Sequence, residues 1–435
     1  MLTLNMFDLV LGFAKVVDLV NATLANHHRR VAYIAGALGD LLNLDRLSRN
    51  RLVMAAMVHD VGVIPLHALT DSLVFEKDME RHSLAGWLLL DSCQVFRDEA
   101  KIIRYHHSSW QRILTLPEEE RFPARLGNLV HLSDAIDVHV RTHFHPDNLV
   151  REISAGAGSI YSPEVAGAAV ELVSRPGFLN NLSEASNSFW LPPGPELIIH
   201  EDRVALFALL FARVIDARSP FTATHSSGVA HSARFLYELA GLPDRNRPAI
   251  FVAGLLHDIG KMGVPLELLE KQGPLEPDEF RQVSRHALLS YEVLSDIPGF
   301  EKVAPWGAWH HERLNGRGYP QGLKADEIPL ESRLMAVADV LTALSEDRPY
   351  RAGLSNDQVL SIMDRMVDEG ALDGDVLALV HDHIEETFEV GRRARALAKR
   401  FFQRLGRDIA EATARAKTGL KAPEAVIVLE NGKKS

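Results

Sequence analysis

The run Ala249-Ile250-Phe251-Val252-Ala253-Gly254-Leu255-Leu256-His257-Asp258-Ile259-Gly260 holds one charge, Asp258, in a setting too apolar to offer a carboxylate much water. Leu52-Val53-Met54-Ala55-Ala56-Met57-Val58-His59-Asp60-Val61-Gly62-Val63-Ile64 repeats the form in the other half of the chain, with Asp60 as its one charge. Burying a carboxylate without a partner costs several kcal/mol, so each His-Asp pair predicts a cation nearby. The repetition extends outward from both pairs. His27 lies 32 residues before His59, and His225 lies 32 before His257. His82 precedes His106-His107 by 24 residues, and His286 precedes His310-His311 by 24. Asp134 follows His107 by 27 residues and Asp339 follows His311 by 28. The same series of side chains in the same order marks an internal duplication and predicts two similar domains.

Between these residues the periodicity is helical. Val229, Ala233, Leu236, Tyr237 and Ala240 form one apolar stripe, with His225 a turn earlier on it. Ser219-Pro220 is expected to start that helix, the serine capping free N–H groups and the proline fitting the first turn. Val204 to Ile215 and Leu334 to Leu344 are apolar nearly all round and read as buried helices, Asp339 being the only charge in the second. Strand signals are scarce, so the fold class is all-α, two helical domains in tandem. The run Leu191-Pro192-Pro193-Gly194-Pro195 cannot continue a helix and marks the linker. The expected organisation is a first domain over 1–180, a linker over 181–197, a second domain over 198–404 and a basic helix and tail over 405–435. A chain of 435 residues suits two or three domains of roughly 100 to 200 residues. Its 46% hydrophobic and 24% charged content excludes a disordered or collagen-like chain.

The net charge of −11 opposes the broad positive field that non-specific nucleic-acid binding needs. Gly391 to Ser435 carries 12 Lys or Arg against 4 Asp or Glu, which reads as a solvated basic helix and tail. Cys93 is the only cysteine, which excludes an intrachain disulfide and a thiolate zinc cluster. Leu9 to Val20, the most apolar N-terminal segment, is interrupted by Lys15 and Asp18 and follows no basic run. It reads as neither a membrane span nor a secretory signal, and a cytoplasmic protein is expected.

Any metal must therefore be held by imidazoles and carboxylates. Five histidines and two aspartates per copy suit iron, manganese, zinc, cobalt or nickel better than calcium or magnesium. That set exceeds one tetrahedral site. Two metals roughly 3.5 to 4 Å apart, sharing a bridging carboxylate, fit it, and such a pair suits phosphate ester hydrolysis because it activates a bridging water and holds phosphate oxygens. The residues alone predict metal-assisted phosphodiester cleavage.

The second copy also carries His310-His311-Glu312-Arg313-Leu314-Asn315-Gly316-Arg317-Gly318-Tyr319-Pro320, then Ile328-Pro329, Val337-Ala338-Asp339 and Asp347-Arg348-Pro349-Tyr350-Arg351. Together with His257-Asp258-Ile259-Gly260-Lys261 it resembles the HD-GYP phosphodiesterases over about Asp216 to Arg351. The resemblance implies hydrolysis of a cyclic dinucleotide, cyclic di-GMP first and 3',3'-cyclic GMP-AMP second, to linear dinucleotide or mononucleotide, with iron or manganese. By position it implies His225, His257 and Asp339 on one metal, His286, His310 and His311 on the other, and Asp258 bridging. It places Lys261 at the scissile phosphate, Arg348 and Arg351 on phosphate oxygens, and Gly318, Tyr319 and Pro320 around the substrate pocket. Phe221 stands where three-metal members have glutamate, so two metals are expected. Asn315 and Thr342 stand where aspartate is usual or common, departures that bear on substrate preference more than on catalysis.

The first copy keeps His27, His59, Asp60, His82, His106, His107 and Asp134, yet Val63 takes the place of Lys261. Ser108-Ser109-Trp110 follows its histidine pair in place of anything like Gly-Tyr-Pro, and His143 and Pro146 stand where the second copy has Arg348 and Arg351. It resembles an HD-type metal site stripped of cyclic-dinucleotide contacts, expected to bind metal with little or no hydrolysis. The other reading is a degenerate domain kept for packing or regulation. For the chain as a whole the competing functions are a cyclic-dinucleotide sensor that does not cut, and a general HD phosphohydrolase acting on mononucleotides. Oxygen chemistry at a di-iron centre is a further alternative, better suited to the first copy. A homodimer is compatible with helical domains.

Overall fold

The computed structural model describes residues 2–20, 25–64, 79–142, 146–184, 197–219, 224–347 and 352–417. Phe221, His143, Arg348 and Arg351, and residues 185–196 of the expected linker, lie outside the described residues. Among the described residues the chain is helical apart from one antiparallel ribbon in which Thr3–Asn5 (β1) pairs with Ile198–His200 (β2), Leu4 opposite Ile199. The all-α class therefore holds. Strands of three residues are too short to announce themselves by alternation, which is why the sequence pattern passed over them.

Two compact units share the chain. One takes in Met1–Gly12 and Ile198–Arg404, and the other takes in Phe13–Leu197 with the last helix from Leu405 onward. The final helix, Ile384–Lys417, therefore contributes residues to both. None of the described helices is long and apolar enough to cross a membrane.

In the unit containing Ile198–Arg404, the run Val204 to Ile215 lies in the helix Glu201–Asp216 and Leu334 to Leu344 in the helix Leu330–Ser345, both buried over most of their length. The helix His225–Leu239 packs on Arg247–Leu256 at Gly254, where an added Cβ would stand 2.5 Å from the Cα of Ala230. Two residues after Asp258, Gly260 lies so close to the backbone of Pro277–Ser295 that a side chain there would collide with the carbonyl oxygen of His286. The other unit repeats this approach. Gly62 follows Asp60 by two residues and would collide, with a side chain, with the carbonyl oxygen of His82 in the helix Met79–Asp91. Backbone meeting backbone at these glycines brings each His-Asp turn beside the next histidine of its series, a separation that no side chain could span.

The helix bearing the stripe begins at His225, with Thr224 at its N-cap position, and not at Ser219-Pro220. Ser219 is buried, and Pro220 lies outside the described residues. Serine-proline is a local starting signal, whereas the actual start coincides with a tertiary partner, the carboxylate of Glu346, facing Thr224 and His225. An acidic group at a helix N-terminus is favourable against the free N–H groups there.

Candidate metal centres

In the unit containing Ile198–Arg404, the repeated side chains converge. His225 is the first residue of its helix, and His257 follows the end of Arg247–Leu256. His286 lies within Pro277–Ser295, His310 and His311 follow Val303–Ala308, and Asp339 lies within Leu330–Ser345. Asp258 sits at the centre. Its Oδ2 is 3.1 Å from His257 Nε2 and 3.8 Å from His225 Nε2, while its Oδ1 is 3.3 Å from His286 Nε2 and 3.8 Å from His310 Nε2. One oxygen thus faces one set of rings and the other oxygen faces the second set. Asp339 Oδ1 lies 3.0 Å from His225 Nε2. Lys261 Nζ donates to Asp258 Oδ2 at 2.5 Å.

The tautomers follow from the partners. Nδ1 of His257, His286 and His310 lies 2.8, 2.6 and 2.7 Å from the carbonyl oxygens of Gly254, Val283 and Gly307, each three residues back. A carbonyl only accepts, so Nδ1 carries the proton and Nε2 is left with a lone pair. Those Nε2 atoms are buried and lack a hydrogen-bond partner, as is Asp258 Oδ1. Orphaned lone pairs in a dry interior are costly unless something electrophilic meets them.

Charge is distributed to match. Burial works against ionisation of Asp258, but the His257 ring and the Lys261 ammonium beside it outweigh that and hold the carboxyl well below its usual range. Burial also opposes ionisation of Asp339, and the contact with the His225 ring more than offsets it. Burial and the neighbouring His257 push His310 down to about 3, and burial with His310 and His286 pushes His311 well down. His225 goes the other way: burial opposes its charge, but its hydrogen bonds with Asp339 and Glu346 outweigh that and push it up to about 10. Neutral His310 and His311 beside ionised carboxylates are in the protonation states that a divalent cation requires, whereas His225 must give up a proton to bind one.

The Gly318-Tyr319-Pro320 segment closes one side. A side chain at Gly318 would collide with the backbone of Glu312 and Arg313, so only glycine lets the loop lie there. The ring of Tyr319 packs 4.7 Å from that of His311, with Phe280 edge-on at 5.8 Å. Glu312 is buried and accepts the N–H groups of Gln321, Gly322 and Leu323 at 2.6, 3.1 and 2.9 Å. The sequence reading missed this role, although an acid directly after the paired histidines was a visible signal.

The first unit builds the same figure. Asp60 Oδ2 is 3.3 Å from His59 Nε2 and 3.8 Å from His27 Nε2, and its Oδ1 is 3.6 Å from His82 Nε2. Asp134 Oδ1 lies 3.4 Å from His27 Nε2. His82 and His106 bring their Nε2 atoms within 3.1 Å, and His107 packs its ring 4.6 Å from that of His82. Nδ1 of His59 and His106 again faces carbonyls three residues back, Ala56 at 2.9 Å and Ile103 at 2.7 Å. The buried Nε2 of His59 has no hydrogen-bond partner. Burial and the His82 ring push His107 down to about 2. Val63, in the place of Lys261, brings no charge to Asp60.

In each unit a carboxylate outside the repeated series holds the first histidine. Asp137 Oδ2 is 2.7 Å from His27 Nδ1, and Glu346 Oε2 is 3.2 Å from His225 Nδ1. Both were missed because they stand at different distances from the repeated aspartate.

The donor sets fit divalent ions. Ligand atoms of His225, His257 and Asp339 lie within 4.8 Å of one another, as do those of His286, His310 and His311, and those of His257, Asp258 and His310. In the first unit the same holds for His27, His59 and Asp60, and for Asp60, His82, His106 and His107. Imidazole nitrogens with their protons fixed on the far side, and no thiolate, suit transition metals.

Residues 24–138 and 210–376 each match the HD domain family. The 3'3'-cGAMP-specific phosphodiesterase 1 of Vibrio cholerae is 29% identical over 395 residues, covering 87% of this chain and 91% of that protein. The 3'3'-cGAMP-specific phosphodiesterase 3 of the same organism is 32% identical over 64% of this chain and 63% of its own length. The cyclic di-GMP phosphodiesterase response regulator of Xanthomonas campestris is 39% identical over 35% of this chain and 41% of its own length. The crystal structure of a cyclic GMP-AMP specific phosphodiesterase from Vibrio cholerae superposes with a TM-score of 0.62 at 23% identity, over 88% of this chain and 98% of that one, a likeness of fold.

Proposed function

The chain belongs to the HD domain family and is homologous to the HD-GYP phosphodiesterases, and from that premise we propose that it hydrolyses a cyclic dinucleotide at the constellation centred on Asp258. The observation that carries this reading is the convergence of buried, partnerless Nε2 atoms on a carboxylate that also holds an ammonium. His225, His257 and Asp339 would hold one divalent ion and His286, His310 and His311 a second, with Asp258 offering one oxygen to each. Divalent ions bound there would lower the pKa of water and neutralise phosphate charge; the imidazole-rich set suits a transition metal, and the resemblance to the HD-GYP phosphodiesterases points to iron or manganese.

The chain's own residues do the rest. Burial disfavours the charged form of Lys261, but Asp258 outweighs it and raises its pKa above the usual lysine value, so the side chain stays an ammonium at neutral pH. From its place on Asp258 it can stabilise charge developing on the phosphate or give its proton to the departing ribose oxygen. Glu312 fixes the loop through its three N–H contacts, and Gly318 lets that loop approach closely enough for the Tyr319 ring to wall the site beside His311. The orphaned Nε2 atoms supply no proton, which leaves Lys261 as the proton donor beside Asp258.

His27, His59, Asp134, His82, His106 and His107 around Asp60 would hold metal in the first unit by the same geometry. Without an ammonium at position 63 that unit would not cut a cyclic dinucleotide. Among candidate substrates, 3',3'-cyclic GMP-AMP takes first place over cyclic di-GMP. The relatives that match across 87% and 64% of this chain are named for the former, whereas those named for the latter match about a third of it.

Anaerobic purification with metal quantification, followed by chromatography of products from both cyclic dinucleotides, tests the reading. Turnover of 3',3'-cyclic GMP-AMP faster than of cyclic di-GMP is expected. Tight binding without products would favour a sensor, and turnover of mononucleotides alone would favour a general phosphohydrolase.

A further inference from the structure

The two units hold their first histidine from different positions in the chain. In the first, Asp137 is three residues after Asp134 on the helix Glu118–Thr142, and is itself held by Arg30 and by Arg141 at 2.9 Å. Three residues after Asp339, the matching position is Thr342, whose side-chain oxygen is buried and makes no hydrogen bond. The carboxylate reappears one turn further on. Glu346, 7% exposed, puts Oε2 on His225 Nδ1 and accepts the hydroxyl of Thr224 on Oε1 at 3.0 Å. Four residues of helix advance about 6 Å along the axis, and glutamate's extra methylene helps to make up that distance.

We propose that Glu346 is the positioning residue of the second unit's site, a carboxylate relocated by one helical turn that replaces the aspartate absent at Thr342. By accepting from Nδ1 it fixes the tautomer and ring orientation of His225, so that Nε2 is presented toward Asp339 and Asp258. The departure at Thr342 is then compensated within the metal site and leaves substrate preference untouched. This inference rests on the reading of His225 as a metal ligand.

The test uses the full chain. Glu346→Ala is expected to lose one metal equivalent relative to the unaltered protein at limiting metal, and to lower kcat by roughly 10- to 100-fold with little change in KM. Adding Thr342→Asp to that variant restores the carboxylate from the position used in the first unit, and is expected to bring back the metal equivalent and bring kcat to within about threefold of the original, in keeping with that loss. Glu346→Gln, which keeps volume and a hydrogen bond, serves where the alanine variant does not fold, and should show a smaller loss that Thr342→Asp again repairs. Unchanged metal content and turnover in Glu346→Ala would overturn the proposal. So would a loss that Thr342→Asp fails to repair in both backgrounds, which would make Glu346 a packing residue. Metal content is read without substrate, so an unaltered chain that holds metal but cuts no cyclic dinucleotide would defeat the functional reading while leaving this one standing or falling on its own result.

Discussion

The centres around Asp60 and Asp258 share their ligand spacing, their backbone-fixed imidazole tautomers and the glycine that lets the His-Asp turn touch the next helix. They part at the residues that would meet a phosphate. The second has Lys261 on Asp258 and a loop organised by Glu312 and Gly318, while the first has Val63 and Ser108-Ser109-Trp110. Holding an ion and acting on a substrate are therefore separable demands. The proposed metal ligands match residue for residue in the two units while the proposed phosphate contacts do not, so duplication can keep one set and shed the other.

That separation can be attacked residue by residue. Among the residues that set the two units apart, the largest effect should come from Lys261→Ala, which removes the cation beside Asp258 and should lower kcat by about 10²- to 10³-fold without loss of metal. Metal lost in parallel with kcat would mean that the two demands are not separate. Val63→Ala in the first unit should leave turnover unchanged. Next, Gly260→Ala and Gly62→Ala should each destabilise the protein by roughly 1–3 kcal/mol in thermal or denaturant unfolding, because the new methyl collides with a helix backbone. A cost in one unit only would break the equivalence of the two folds. The smallest effect belongs to Glu312→Gln, which weakens the acceptor of three loop N–H groups. It should raise KM by about tenfold or less with kcat nearly unchanged, in line with hydrogen bonds to a charged group worth about 1.5–3 kcal/mol that an amide only partly replaces.

The ligand series was legible because it is written twice. His27 to His59 and His225 to His257 share one interval, His82 to His106 and His286 to His310 another, and apolar surroundings left the aspartates no other explanation. The helices Glu201–Asp216 and Leu330–Ser345 were legible from their runs Val204 to Ile215 and Leu334 to Leu344, which are apolar nearly all round. Residues that act through a tertiary contact were not. Asp137 and Glu346 do one job from intervals of three and seven residues after the repeated aspartate, so a search for equal spacing passes over both. The start of a helix at His225 and the ribbon of β1 with β2 were hidden likewise, because each depends on a partner far away in sequence.

The division of labour between the units is tested most directly by turnover of 3',3'-cyclic GMP-AMP in two full-length variants, Asp258→Asn and Asp60→Asn, purified side by side with their metal content measured. Loss of at least about 10³-fold in kcat in the first and a change of less than about threefold in the second is the predicted result. Equal losses in both, or an active Asp258→Asn, would contradict it.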